Sequence, residues 1–168
     1  MSPTPSRPGD AAAVSVQVAV LPAEAFEIFT QQTDLWWRRG PQFRVAGHRR
    51  GTLGFEGGVG GRLFETFDTP AGPFTHETGR ITAWQPPHLL RFEWRGVNFK
   101  PGELTFVEVH FEASGAGTLV TVRHSGWSAL PTNHPARHGL VGPDFSRRIG
   151  LHWGQLMTAF REHIAQKR

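Results

Sequence analysis

The chain has 168 residues and a formal charge of +4, with 13 Phe and 6 Trp but neither Tyr nor Cys. Without Cys, disulfides, thiolate metal sites and cysteine nucleophiles are excluded, and nothing argues for an oxidising compartment. Its cations are scattered as isolated pairs in "WWRRG", "GHRRG" and "FSRRIG", so the basic stripe of a nucleic-acid binder is missing.

A chain of this length fits one domain, able to bury roughly 70% of the surface that its unfolded form exposes. Residues 1–12, "MSPTPSRPGDAA", are rich in Pro, Ser and Ala with no apolar stretch, and read as a disordered tail and not a signal peptide. Residues 13–168 are expected to form a single domain. No later run approaches the length of a membrane span, so the expected location is the cytoplasm.

"AVSVQVAV" alternates Val14, Val16, Val18 and Val20 at period two, the mark of a half-buried strand. "LPAEAFEIFTQQTDLWW" then reads as a helix with Pro22 early and Phe26, Ile28 and Phe29 giving an apolar face; Thr33 and Asp34 start a short second helix that ends on Trp36 and Trp37. From residue 42 to residue 125 nearly every segment reads as a strand: "FRVAG", "GTLGFEG", "GRLFETFD", "HETGRITAW", "HLLRFEWRG", "ELTFVEVHFEA" and "GTLVTVRHSG". Their close spacing leaves no room for crossover helices and predicts an antiparallel meander. Residues 126–142 read as a loop. In "PDFSRRIGLHWGQLMTAFREHIAQKR" the residues Ile149, Trp153, Leu156, Phe160 and Ile164 recur at steps of three and four, marking one face of a long helix of about 36 Å that must lie across the sheet.

The glycine-rich stretch "GFEGGVGGRLFETF" does not make a phosphate loop. Gly58, Gly60 and Gly61 lack the third glycine of a dinucleotide fingerprint, and Arg62 is followed by no Ser or Thr of a Walker loop. "RLFETF" alternates like a strand, so no helix N-terminus follows to receive a phosphate. The glycines are expected to turn a hairpin. Of the two faces beyond them, Arg62, Phe64 and Thr66 share one and Leu63, Glu65 and Phe67 the other; Phe64 is taken as the inward residue.

The element order, with "DLWWRRG", "GGVGGRLFE", "GRITAWQPPHLLRFEW", "GTLVTVRHSGW" and "LHWGQLMTAFREHI", resembles the START-like or SRPBCC superfamily over about residues 14 to 165. It is most similar to the branch homologous to the C-terminal domain of the activator of heat-shock protein 90 ATPase. Departures are the His-rich loop "NHPARHG" and Arg91, which stands where an apolar residue is usual. The resemblance implies an α+β helix-grip (birch-pollen-allergen-like) fold: a curved antiparallel sheet wrapped around a long C-terminal helix, with two short helices after the first strand. The superfamily holds hydrophobic-ligand carriers, cyclases and aromatases, stress-related proteins and bacterial members of no assigned activity, so it implies a cavity and not a reaction.

Phe92 and Trp94 share parity in one strand, Val107, Val109 and Phe111 in a second, and Val120, Val122 and His124 in a third, so each presents one face to the long helix. With Trp36, Trp37, Phe64, Trp127 and Trp153, the residues Phe92, Trp94 and His124 form the expected ligand-binding set; filling of the core by the same rings is the bland alternative. His124 is expected to orient a polar group of the ligand. His134 and His138, separated by Pro135 and without a third ligand, are read as surface residues and not a metal site. His76 and the other scattered histidines are read as solvated, and Glu65 as peripheral. No nucleophile elbow surrounds Ser125.

No catalytic residue, cofactor or metal is expected, and no nucleic-acid contact or membrane insertion. The first functional expectation is noncatalytic binding of a small hydrophobic or aromatic molecule between sheet and helix. The alternatives are a chaperone-associated interaction module, which the family branch implies, and a cyclase-like or aromatase-like enzyme.

Overall fold

The computed structural model describes residues 9–166. Residues 1–8 of the expected tail lie outside the described residues. Within the rest, Gly9 is buried and Asp10 accepts hydrogen bonds from the amide and hydroxyl of Ser128. Strand β1 (Ala12–Val18) begins two residues after Asp10. Helix α1 (Pro22–Gln31) starts on Pro22, whose missing N–H would have had no helical acceptor there. It buries Phe26, Ile28 and Phe29, and the short α2 (Thr33–Trp36) follows.

"FRVAG", expected as a strand, is instead a series of tight turns. The amides of Phe43 and Arg44 both donate to Gly40 O, and that of Gly47 donates to Arg44 O. Arg44 supplies the physical reason. Its guanidinium is buried, with Nη1 2.6 Å from Asp34 Oδ1 and Nη2 donating to the carbonyls of Asp34 and Trp37. Curling the backbone around this cation satisfies the orphan carbonyls at the end of α2, which outweighs the strand preference of Phe43 and Val45.

Strands β2 (Gly51–Phe55), β3 (Arg62–Thr69), β4 (Gly72–Gln85), β5 (Leu89–Trp94), β6 (Thr105–Ser114) and β7 (Gly117–Ser125) join β1 in one antiparallel sheet of order β1-β7-β6-β5-β4-β3-β2. Successive strands are neighbours from β2 to β7, as short connections require. β1 pairs with β7, setting Val16 opposite Val120 and Val14 opposite Val122. Helix α3 (Gly142–Gln166) buries Trp153, Leu156, Met157, Phe160 and Ile164, which share one core with Val107, Val109, Phe111, Val120 and Val122 of the sheet. This is the helix-grip fold.

The glycine-rich stretch turns the β2–β3 hairpin. Gly58 and Gly60 take φ of 83° and 87°, and the Gly60 amide donates to Ile81 O. A Cβ on Gly61 would lie 2.7 Å from Glu56 O, so a larger residue would force the turn open. Beyond it the inward face of β3 is Leu63, Glu65 and Phe67, all buried. The choice of Phe64 is therefore corrected: it lies on the outer face, where the Arg62 guanidinium carbon sits 5.2 Å from its ring centroid and Arg62 pairs with Glu56. Two bulky apolar residues on one parity outweigh one on the other, and Glu65 is carried inward with them. Arg91 has a similar explanation. Phe92 and Leu90 take the inner face of β5, leaving Arg91 outside against Glu108 and the Phe106 ring, 4.4 Å from its centroid.

Candidate functional site

Strand register assembles the first wall. Trp94 stands opposite Thr105, and Val107 opposite both Phe92 and His124. Trp37, just after α2, stacks on Trp94 at 6.2 Å and 14° between planes. Trp153 of α3 meets Trp37 edge-on at 5.6 Å and Trp94 at 6.0 Å. His124 completes the cluster, 5.5 Å from Trp94 and 4.8 Å from Trp127. Such offset and edge-on contacts suit the aromatic quadrupole and fix ring orientations.

Both nitrogens of His124 are used. The Trp153 indole Nε1–H donates to His124 Nδ1 at 3.1 Å. An Nδ1 that accepts leaves the proton on Nε2, which donates to Thr105 Oγ1 at 2.7 Å; Thr105 in turn donates to Trp94 O at 3.2 Å. Burial, reinforced by the nearby His152, pushes the His124 pKa down to about 3. The ring is thus a neutral strut linking β5, β6, β7 and α3. The expected role of orienting a ligand's polar group finds no free nitrogen here.

Above this floor opens a cavity of about 600 Å³. Its walls include Trp37, Trp94, His124 and Trp127 from the expected set, joined by Phe43 and Phe99. Trp153 lies behind the wall, buttressing Trp37 and His124. Trp36 and Phe92 are buried away from it: Trp36 packs on Phe29 and Phe160, and Phe92 on Phe55. The structure therefore brings together four of the eight expected residues at the cavity, supports them with Trp153, and leaves Trp36, Phe92 and Phe64 outside it.

Polar residues also line the cavity. Glu65, read as peripheral, is buried, with Oε2 accepting from the Val45 amide at 2.8 Å and Oε1 from the Ala46 amide at 3.2 Å. His76, read as solvated, stands opposite Glu65 across β3 and β4 and keeps a buried Nε2 without a hydrogen-bond partner. His152, one position before the expected Trp153, stacks on Phe43 at 5.2 Å and 28°, and burial with the charge of Arg148 pushes its pKa down to about 4. The signal for Glu65 was its place between Leu63 and Phe67 on one strand parity. Nothing local marked His76 or Arg44, whose positions depend on long-range pairing and on the curled segment.

In the His-rich loop, His138 is exposed and lines the cavity at φ 50°. His134, read as a surface residue, is buried: its Nδ1 accepts from the Ala136 amide and its Nε2 lies 2.9 Å from Glu103 Oε1. A single turn capped by its own imidazole places the ring inward. Among the described residues no group of three or more His, Asp or Glu could hold a metal ion, and no helix is long and apolar enough to cross a membrane.

Comparison with known proteins agrees with this architecture. A protein from Rhodobacter sphaeroides superposes with a TM-score of 0.63 at 17% identity, covering 98% of each chain. One from Cytophaga hutchinsonii gives 0.65 at 10% identity over 94% of each. The Aha1 dimer from Colwellia psychrerythraea gives 0.57 at 16% identity over 92% of this chain and 95% of that one. No curated protein matches. The sequence profile described as Activator of Hsp90 ATPase homolog 1-like protein matches residues 19–142. With most of the chain matched by that profile and the sheet gripping α3 as it does, this protein belongs to the Activator of Hsp90 ATPase homolog 1-like family, within the START-like superfamily.

Proposed function

We propose that the protein binds one small, largely apolar molecule with an aromatic portion in the cavity between sheet and α3, without chemically changing it. The observation that carries this reading is a space of about 600 Å³ walled by rigid aromatic rings, within the size of ligand pockets, roughly 300–1,000 Å³. Trp37, Trp94 and Trp127 are the proposed contacts, with His124 and Trp153 holding them in place. A cyclase-like reaction would need a free acid or base at the ligand. Both nitrogens of His124 and both oxygens of Glu65 are engaged, and of these three lining side chains His76 alone keeps an unpartnered nitrogen, which favours binding over catalysis.

Native mass spectrometry of protein purified without added ligand, combined with a thermal-shift screen of aromatic metabolites and fatty acids, tests this reading. At least one compound is expected to raise the melting temperature saturably with 1:1 stoichiometry. If nothing co-purifies and no compound in the screen shifts the melting temperature, the binding reading fails.

A second reading follows from family membership: a chaperone-associated module. It predicts that the chain is retained by an Hsp90-type chaperone in a pull-down and alters its ATPase rate. Absence of both effects removes it.

A further inference from the structure

The polar groups left over around the cavity are unequal in kind. Its lining contains one carboxylate, Glu65, and both oxygens already accept backbone N–H groups. The Arg44 guanidinium is likewise consumed by Asp34 and the carbonyls of α2. Besides the unpartnered His76 Nε2 and the neutral amides of Gln42, Asn98 and Gln155, what remains is donors and positive charge. The Trp127 indole Nε1–H is buried with no hydrogen-bond partner although the residue is only 4% exposed. Arg95 keeps an unpartnered Nε while its Nη2 pairs with Glu93. Arg148 is an exposed lining residue on α3.

A buried donor without an acceptor is a standing penalty that an acceptor on a ligand relieves. An ammonium group entering the same space would meet three arginines, Arg44, Arg95 and Arg148, against a single carboxylate whose oxygens already accept backbone N–H groups. Resting on the ligand-binding reading above, we propose that the cavity selects an apolar aromatic molecule carrying a carboxylate or carbonyl oxygen, with the Trp127 indole N–H as donor and Arg95 and Arg148 supplying positive charge. Trp127 joins the anchor to the aromatic wall, since its ring already touches His124 and Phe99. The selection is against cations as much as for acceptors.

The test uses four compounds of nearly one shape with the full chain: 2-naphthoic acid, 2-acetylnaphthalene, 2-ethylnaphthalene and 2-(aminomethyl)naphthalene, titrated by ligand-observed NMR at neutral pH. The acid is expected to bind roughly tenfold or more tighter than the amine, and both oxygen-bearing compounds tighter than the hydrocarbon. Trp127→Phe keeps an aromatic ring but removes the N–H; it should weaken the acid and the ketone by about three- to tenfold more than it weakens the hydrocarbon. Arg148→Gln should weaken the acid alone, and by less as salt is raised. Equal binding of all four compounds, or an amine preference, overturns this proposal while the ligand-binding reading stands. Equal weakening of all four by Trp127→Phe overturns the role of its N–H. If none of the four binds, this proposal falls, while the ligand-binding reading is decided by the co-purification and thermal-shift screen.

Discussion

Asp34→Asn is expected to destabilise the protein by about 3 kcal/mol, the lower end of the range for breaking a buried ion pair. The lower end applies because Arg44 is almost wholly enclosed, its side chain 2% exposed, whereas Asp34 keeps 28% of its own exposure. Neutralising Asp34 leaves a buried guanidinium with only dipoles around it. It also weakens the acceptor of the Leu53 amide, 2.9 Å from Asp34 Oδ1, and so loosens the start of β2. Arg44→Met alone should be similarly harmful, since Asp34 then loses its partner. The double change Asp34→Leu with Arg44→Met should recover much of the loss, because no unpaired charge remains. Urea denaturation of the two single variants and the double variant measures this cycle. Burial pushes the Asp34 carboxyl up, but the Arg44 hydrogen bond, the Leu53 amide and the charges of Arg44 and Arg39 prevail and hold it below its ordinary value. Its folded pKa is thus the lower one, so this stabilisation is present above the unfolded pKa and disappears as pH falls through the folded value.

His124→Ala is expected to cost about 3–5 kcal/mol, combining a cavity among Trp94, Trp127 and Trp153 with an orphaned Trp153 indole N–H. The same residue carries a pH signature. His124 titrates near 3 and His152 near 4 in the folded protein, against an ordinary 6.5. Below about 6.5 the unfolded chain takes up protons that the folded chain refuses, so stability falls with decreasing pH. The effect is absent above the unfolded pKa, steepest between 6.5 and about 4, and flat for His124 below about 3. In that steep interval each histidine contributes a slope approaching about 1.4 kcal/mol per pH unit. His124→Phe, which keeps a ring and loses the titration, should remove one proton's share of the slope while the share of His152 persists. Denaturant midpoints at pH 7, 6, 5 and 4.5 read the difference. Parallel pH profiles for the two proteins would mean that His124 titrates normally in the fold.

The fold was largely legible because its signals are periodic. The alternation in β1, β6 and β7 and the three-and-four recurrence in α3 each identify an element and its buried face from local sequence. "FRVAG" misled because its β-branched and aromatic residues carry a local preference that Arg44 overrides through Asp34, a partner in α2. The aromatic half of the site was legible for the same reason as the sheet: inward parity puts Trp94 and His124 on one wall. The polar half was not. Glu65 and His76 face each other only after β3 and β4 have paired, and the place of His152 against Phe43 depends on the curled segment. Trp36 and Phe92 show the limit of parity. It gives inside or outside, but it does not separate a ring that fills the core from one that lines a space.

The indole N–H signals of the six Trp residues test the central claim most directly, through a titration with 2-naphthoic acid followed in two-dimensional proton–nitrogen NMR spectra. The account predicts saturable shifts in Trp37, Trp94 and Trp127, which line the cavity, with Trp84, packed against Phe26 in the core, unmoved. Shifts confined to Trp84, or six signals unchanged at saturating acid, would contradict it.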